Sequence, residues 1–139
     1  MDAKGRISLP SRFRDVLIRS GDEKLIVTRG LGDACLDIFP LKRWEAFETR
    51  VAALPRFDAN AIKLRRLYVS AATDCDIDGQ GRILVPPALR EHARLDKSVV
   101  WVGMGDGVEL WSMPLWVEAQ RQAADDMTFV RALDEELKL

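Results

Sequence analysis

Two arginines, each placed four residues after an aspartate, carry the most evident chemistry in the chain. They lie in Asp2-Ala-Lys-Gly-Arg6 and Asp78-Gly-Gln-Gly-Arg82, which share the pattern Asp-x-x-Gly-Arg. A guanidinium presents a planar fork of donors that suits phosphate oxygens or the O6/N7 edge of guanine. The aspartate can orient the guanidinium, while Gly5 or Gly81 lets the backbone turn. The pattern therefore suits contacts of Arg6 and Arg82 with a phosphate or a guanine of DNA, and internal salt bridges that only stabilise the turns are the alternative.

Basic residues are concentrated near the first of these two turns. The formal net charge is −1, but residues 1–20 carry five basic and two acidic side chains. We expect Lys4, Arg12 and Arg14 to join Arg6 at the DNA. The second turn lacks counterparts of Lys4 and Arg12 and follows a run of acidic residues. The sequence therefore predicts a larger contribution from Arg6 than from Arg82.

The chain has few residues that could form an enzyme active site or a metal site. His92 is the single histidine, and no nucleophile is spaced to pair with it. Cys35 and Cys75 lie forty positions apart with no second cysteine or histidine near either, which predicts buried, reduced thiols. Residues 74–79 begin like a calcium-binding EF-hand loop, but Val85 stands where the bidentate glutamate is required. We therefore predict no catalysis, no metal, no cofactor and no small-molecule substrate.

An internal repeat organises the chain. Residues 1–14 align with residues 77–90 without a gap, and both segments read Asp-x-x-Gly-Arg-Ile-x-x-Pro-x-x-x-Arg. Residues 36–44 align with residues 108–116 at an offset that has fallen from 76 to 72. The first copy therefore has four extra residues, which we expect in a surface loop.

Both copies are predicted to form the same series of secondary-structure elements. A glycine turn and a short strand lead to a proline-initiated helix, a β-hairpin follows, and a second helix closes the copy. The proline-initiated helices are predicted at Pro10–Ile18 and Pro86–Ala93, and the closing helices are predicted to start at Leu41 and Pro114. The first predicted hairpin pairs Leu25–Thr28 with Cys35–Phe39, and the second pairs Ser98–Val102 with Val108–Trp111. A helix at Asp58–Ser70 joins the copies and is expected to pack through Ile62, Leu64, Leu67 and Tyr68.

Four tryptophans fall at equivalent ends of the predicted strands and helices: Trp44, Trp101, Trp111 and Trp116. This placement predicts a role in the core or in a subunit interface. Stacking on nucleic-acid bases is the alternative.

The doubled Asp-x-x-x-Arg, followed in each copy by a hydrophobic strand and a proline-led helix, resembles the MraZ family of bacterial transcriptional regulators over essentially the whole chain. The resemblance implies an α+β fold, a duplicated SpoVT-AbrB-like swapped-hairpin β-barrel with flanking helices. We place the first repeat at 1–48, the linker helix at 49–70, the second repeat at 71–122 and an acidic C-terminal tail or helix at 123–139. The family's signature positions map onto Asp2, Arg6, Asp78 and Arg82, and the turn glycines onto Gly5 and Gly81.

The resemblance also implies a function and partners for the protein. It predicts a sequence-specific regulator, usually an autorepressor, that binds direct repeats in the promoter of the division and cell-wall gene cluster. The expected partners are double-stranded promoter DNA and further copies of the chain in a homo-oligomeric ring. No apolar run approaches the length of a membrane span, so a cytoplasmic protein is expected. The resemblance implies that it associates with the nucleoid. A ring-shaped scaffold that does not read DNA is the alternative.

The first copy departs from the family pattern at its start. The second turn is preceded by Ala71–Ile77, whereas only Met1 stands before the first Asp-x-x-x-Arg. We therefore expect that the N-terminal strand of the first repeat is missing from this sequence.

Overall fold

The computed structural model describes residues 1–17 and 24–138 as an α+β fold. The strands are β1 (Arg6–Ser8), β2 (Lys24–Arg29), β3 (Leu36–Pro40), β4 (Thr73–Asp76), β5 (Arg82–Leu84), β6 (Val99–Gly103) and β7 (Val108–Ser112). The α-helices are α1 (Ser11–Leu17), α2 (Leu41–Ala52), α3 (Ala59–Leu64), α4 (Pro87–His92), α5 (Met113–Asp125), α6 (Thr128–Ala132) and α7 (Asp134–Leu137). Ile18, the end of the predicted first helix, lies outside the described residues. No helix of the described residues has the length and apolar character needed to cross a membrane.

The two copies interleave their strands. A five-stranded antiparallel sheet has the order β4-β2-β3-β7-β6, and β1 pairs with β5 in a separate two-stranded ribbon. Three pairings join one copy to the other: β1 with β5, β2 with β4 and β3 with β7. Within residues 1–17 and 24–138 no strand pairing closes the larger sheet, so the predicted barrel is not seen there. The α+β class and the participation of both copies agree with the prediction.

The four extra residues of the first copy divide between two places. Arg29 pairs with Leu36 across the first hairpin, and Gly103 pairs with Val108 across the second. The loops between these pairs are residues 30–35 and 104–107, so the first copy's loop is longer by two. The other two residues precede β2. Residues 104–107 connect the two strands of the second predicted hairpin.

The hydrophobic core lies where the sheet meets the ribbon. Five of its sheet residues are almost completely buried, namely Leu25, Val27, Leu36, Ile38 and Leu110. From the ribbon, Ile7 and Ile83 pack against them. A second cluster on the other side of β2 contains Ile26, Trp44 and Tyr68. The core thus fixes the inner face of the ribbon and leaves its outer face to solvent.

The linker helix differs from the prediction in its second half. Asp58 caps α3 by accepting a hydrogen bond from the Ala61 N–H at 2.9 Å. The helix then continues as a π-helical turn at Arg65–Val69, which the Ser70 N–H closes at 2.9 Å on the Arg65 carbonyl. The wider turn moves later side chains off the regular helical face. Tyr68 is buried as predicted, but Leu67 is 45% exposed, so its predicted packing role is wrong.

Three of the four tryptophans lie in the interior. Trp44, Trp101 and Trp111 are buried, and Trp116 is half-buried with its ring centroid 5.5 Å from that of Trp111. Trp44 stands at the centre of an aromatic cluster with Phe39, Phe47 and Tyr68. Packing rather than base stacking is therefore the role of the buried three.

Candidate nucleic-acid interface

The two signature arginines lie on the same face of the β1–β5 ribbon. Arg6 opposes Leu84, Ile7 opposes Ile83, and Ser8 opposes Arg82. Side chains directly opposite in an antiparallel pair share a face, and successive residues alternate faces. Ile7 and Ile83 point inward and are buried, so the outer face carries Arg6, Ser8, Arg82 and Leu84. Each arginine is the first residue of its strand, directly after its glycine turn.

The first turn is held by its aspartate. Asp2 Oδ1 accepts hydrogen bonds from the backbone N–H groups of Lys4 and Arg6, both at 2.9 Å. Asp2 Oδ2 accepts from Arg6 Nε at 2.7 Å. The Asp2 N–H also donates to the Arg6 carbonyl at 3.0 Å, which closes the loop at its base.

The second turn repeats this arrangement. Asp78 Oδ1 accepts from the backbone N–H groups of Gln80 and Arg82 at 2.9 Å, and Oδ2 accepts from Arg82 Nε at 3.0 Å. The Asp78 N–H donates to the Arg82 carbonyl at 2.9 Å. The two turns are therefore structural equivalents as well as sequence repeats.

These hydrogen bonds keep both aspartates ionised. The backbone N–H of Arg6 is the main cause that lowers the pKa of Asp2, with the Arg6 side chain and the Lys4 N–H adding to it. The backbone N–H of Arg82 has the same effect on the pKa of Asp78. Each arginine therefore faces a carboxylate at neutral pH, and its orientation is fixed before any ligand arrives.

The salt bridges use only one nitrogen of each guanidinium. Arg6 and Arg82 are engaged through Nε, and no hydrogen bond joins their terminal nitrogens to another residue within 1–17 and 24–138. The side chains are 35% and 25% exposed. The internal salt bridge and an external contact are thus compatible, because the terminal nitrogens can donate to an anion or to a base edge.

Each turn is also covered by an arginine from the other copy. Gly5 and Gly81 have φ values of +86° and +73°, which favour glycine. A Cβ on Gly5 would lie 2.6 Å from Cζ of Arg90, and a Cβ on Gly81 would lie 2.5 Å from Cζ of Arg14. In the alignment of the two copies, Arg14 corresponds to Arg90. Nothing in the sequence indicates that each of these arginines lies against the turn of the other copy. Sequence reasoning therefore missed Arg90.

Because Arg14 and Arg90 each lie against the turn of the other copy, the surroundings of Arg6 and Arg82 differ from those expected. Arg14 is half-buried, contacts the turn that bears Arg82 rather than Arg6, and donates from Nη2 to the Leu9 carbonyl at 3.2 Å. Its predicted contact with DNA stays a prediction. A backbone hydrogen bond also joins the two copies here, because the Leu9 N–H donates to the Gly81 carbonyl at 2.9 Å.

The other two predicted contacts are exposed. Lys4 shares a surface groove with Asp74, Asp76 and Arg90, so the acidic run that precedes the second turn lies beside the first. The Arg12 guanidinium lies over the Phe13 ring at 4.5 Å from its centroid. The DNA contacts of Lys4 and Arg12 therefore stay predictions.

One group of side chains could in principle offer atoms to a metal. Ligand atoms of Cys35, Asp37 and Glu109 lie within 4.8 Å of one another, a proximity that the sequence did not predict. Asp37 accepts a hydrogen bond from the Tyr68 hydroxyl at 2.5 Å, and Glu109 accepts one from Trp111 Nε1 at 3.0 Å. Burial raises the pKa of the Cys35 thiol well above its usual range, which keeps it protonated. The group is best explained as two separate hydrogen bonds of half-buried carboxylates beside a buried thiol.

Both cysteines are free and buried, as predicted. Burial raises the pKa of Cys75 to about 11, with the neighbouring carboxylates of Asp74 and Asp76 adding to the effect. A thiol with so high a pKa has almost no thiolate at neutral pH and is chemically inert.

Comparison with known proteins gives one consistent match. A family described as "MraZ protein, putative antitoxin-like" matches residues 1–67 and again residues 68–137. The chain is 50% identical over 116 residues to the transcriptional regulator MraZ of Carboxydothermus hydrogenoformans, covering 84% of this chain and 78% of that protein. It is 42% identical over 137 residues to the transcriptional regulator MraZ of Halorhodospira halophila, covering 99% of this chain and 88% of that protein. A third relative of the same name, from Thioalkalivibrio sulfidiphilus, is 44% identical over 120 residues, which cover 86% of this chain and 79% of that protein.

Proposed function

The chain belongs to the MraZ family, and from this membership and the ribbon geometry we propose that it is a transcriptional regulator that binds double-stranded DNA through the outer face of β1–β5. Its relatives are named as transcriptional regulators and not as enzymes. The observation that carries the proposal is the placement of Arg6 and Arg82 on the outer face of one ribbon, each bonded to its aspartate through Nε.

A two-stranded ribbon has the right dimensions for DNA. The major groove of B-DNA is about 12 Å wide and admits a β-ribbon, and the commonest specific contact there is an arginine bidentate to guanine. Arg6 and Arg82 lie on diagonal positions of the ribbon, and such diagonal neighbours are about 7–8 Å apart. That separation matches two steps along a duplex whose rise is about 3.4 Å.

We further propose that several copies act together as a homo-oligomeric ring. One ribbon presents two arginines on its outer face, and Lys4 lies in the turn that precedes β1, which is few contacts for tight binding at physiological salt. Several ribbons that engage direct repeats gain affinity through their effective concentration. Autorepression at the promoter of the division and cell-wall gene cluster, and association with the nucleoid, belong to the same proposal.

The test is a gel-shift and footprint of the purified chain on DNA from upstream of its own gene. We expect protection of a repeated sequence, with affinity that falls as salt rises. The double variant Arg6→Ala/Arg82→Ala should lose the footprint. A protein with an intact fold and no preference for any upstream fragment over unrelated DNA would refute the proposal and favour a scaffold that does not read DNA.

Arg121 provides the matched control. It is also an exposed arginine paired with a nearby acidic side chain, Glu118, at 2.6 Å. It lies on α5, outside the ribbon. Arg121→Ala removes the same charge and should leave the footprint unchanged.

A further inference from the structure

The outer face of the ribbon carries one chemical difference between the copies. Exchange of the copies maps Arg6 onto Arg82 and Ser8 onto Leu84. One row across the ribbon therefore consists of Arg6 and Leu84, and the other of Arg82 and Ser8. The arginines are equivalent, so any difference in what the two rows recognise must come from the leucine and the serine.

Leu84 is an exposed apolar residue on the outer face of the ribbon. It is 56% exposed, while its strand neighbour Ile83 is 1% exposed and forms part of the core. Leu84 lies between the two arginines of this face. An apolar group of a ligand that binds the face would cover Leu84 and remove its surface from water.

DNA offers one such group in the major groove. The C5-methyl of thymine is the only apolar group on the major-groove edges of the bases, and leucine-like side chains recognise it by contact. Leu84 lies directly across the ribbon from Arg6, and the Cβ atoms of such opposed residues are about 4.5–5.5 Å apart. That distance spans one to two base-pair steps of about 3.4 Å.

We propose that Leu84 is a specificity-determining residue that contacts the methyl group of a thymine next to the base read by Arg6. Ser8, its counterpart, makes no such contact, so each ribbon reads its site with a direction. This inference rests on the proposed function, because it requires the outer face of β1–β5 to lie in the major groove.

The test replaces thymine by deoxyuridine, which removes only the methyl group. Once the footprint is known, each protected thymine is replaced in turn and binding of the full chain is measured by fluorescence anisotropy. We expect one thymine in each repeat to be sensitive, with a loss of about fourfold in affinity for one buried methyl group. The salt dependence of binding should not change, since no charge is removed.

Protein variants identify the residue that senses the methyl group. Leu84→Ser gives the row of Arg6 the same arginine and serine as the row of Arg82, and we expect this variant to bind thymine and deoxyuridine sites equally. Leu137→Ser is the matched control, because Leu137 is 57% exposed and lies on α7. It should retain the fourfold preference for thymine.

The outcomes separate this inference from the function on which it rests. Sequence-specific binding that tolerates deoxyuridine at every protected position overturns the role of Leu84 and leaves the DNA-binding proposal standing. A preference for thymine that persists in Leu84→Ser assigns the methyl contact to another residue and overturns the inference too. If the wild-type chain has no footprint, both proposals fail together.

Discussion

Equal losses of DNA affinity are expected when either signature arginine is replaced. The sequence predicted a dominant role for Arg6, because Lys4, Arg12 and Arg14 are its neighbours along the chain. The structure places Arg14 on the turn of Arg82, and both arginines occupy one face of one ribbon. The local charge on which the asymmetry rested is therefore shared between the two turns.

The size of the loss follows from the geometry of the guanidinium. Nε is already bonded to the aspartate, so the two terminal nitrogens form the external contact. A bidentate arginine–guanine pair is worth about 1–3 kcal/mol, which corresponds to about 5-fold to 150-fold in affinity. We expect Arg6→Ala and Arg82→Ala to fall in this range for each ribbon and to differ from each other by less than about threefold, a difference of about 0.7 kcal/mol.

The assay is fluorescence anisotropy on a single cognate repeat at several salt concentrations. Arg6→Lys and Arg82→Lys should retain the salt slope and lose most of the sequence preference, because lysine keeps the charge without the planar fork. A contact with phosphate alone would instead lower the salt slope by about 0.9 per arginine and weaken all sequences alike. A tenfold or larger gap between the two alanine variants would refute the argument from shared surroundings.

Three further outcomes are expected. Gly81→Ala should lower the free energy of unfolding by about 1–2 kcal/mol in urea denaturation, because φ is +73° and Arg14 occupies the space of the new Cβ, whereas Gly79→Ala, which meets nothing within 4 Å, should be nearly neutral. In an NMR titration Asp78 should have a pKa below its usual range. Because the pKa of Asp78 is lower in the folded than in the unfolded chain, its carboxylate stabilises the fold at a pH above the unfolded-state pKa. This stabilisation should be lost as the pH falls through the folded-state pKa. Trp44→Ala should cost about 3–5 kcal/mol because Trp44 is 3% exposed, and the same change at half-buried Trp116 should cost clearly less.

The elements could be predicted from the sequence because their signals are local. Proline at the helix starts, glycine in the turns and alternating apolar residues in the strands set the limits of the hairpins to within one or two residues. The exception at Leu67 has a local cause as well. A π-helical turn changes the face on which later residues lie, and a regular helical period cannot anticipate it.

The partners of each element could not be predicted in the same way. A repeat shows that two segments have the same structure, but it does not show whether each copy pairs within itself or with the other. Here β1 pairs with β5 and β2 with β4, so neighbours along the chain are not neighbours at the site. The repeat in the sequence singles out both signature arginines, and their contacts with DNA stay predictions. The role of Arg90, the shared surroundings and the position of Leu84 could be found only from the register of the ribbon.

The interleaving also makes the candidate interface a property of both copies together. Each copy supplies one strand of the ribbon, one aspartate-held arginine and the arginine that covers the other copy's turn. Backbone hydrogen bonds cross in the same reciprocal manner, from Val85 to Gly5 at 3.1 Å and from Leu9 to Gly81 at 2.9 Å. A change in the core that shifts one copy against the other must therefore shift both arginines at once. This coupling gives a physical reason for the two turns to share the same Asp-x-x-Gly-Arg chemistry, while Ser8 and Leu84, two residues after each arginine, differ.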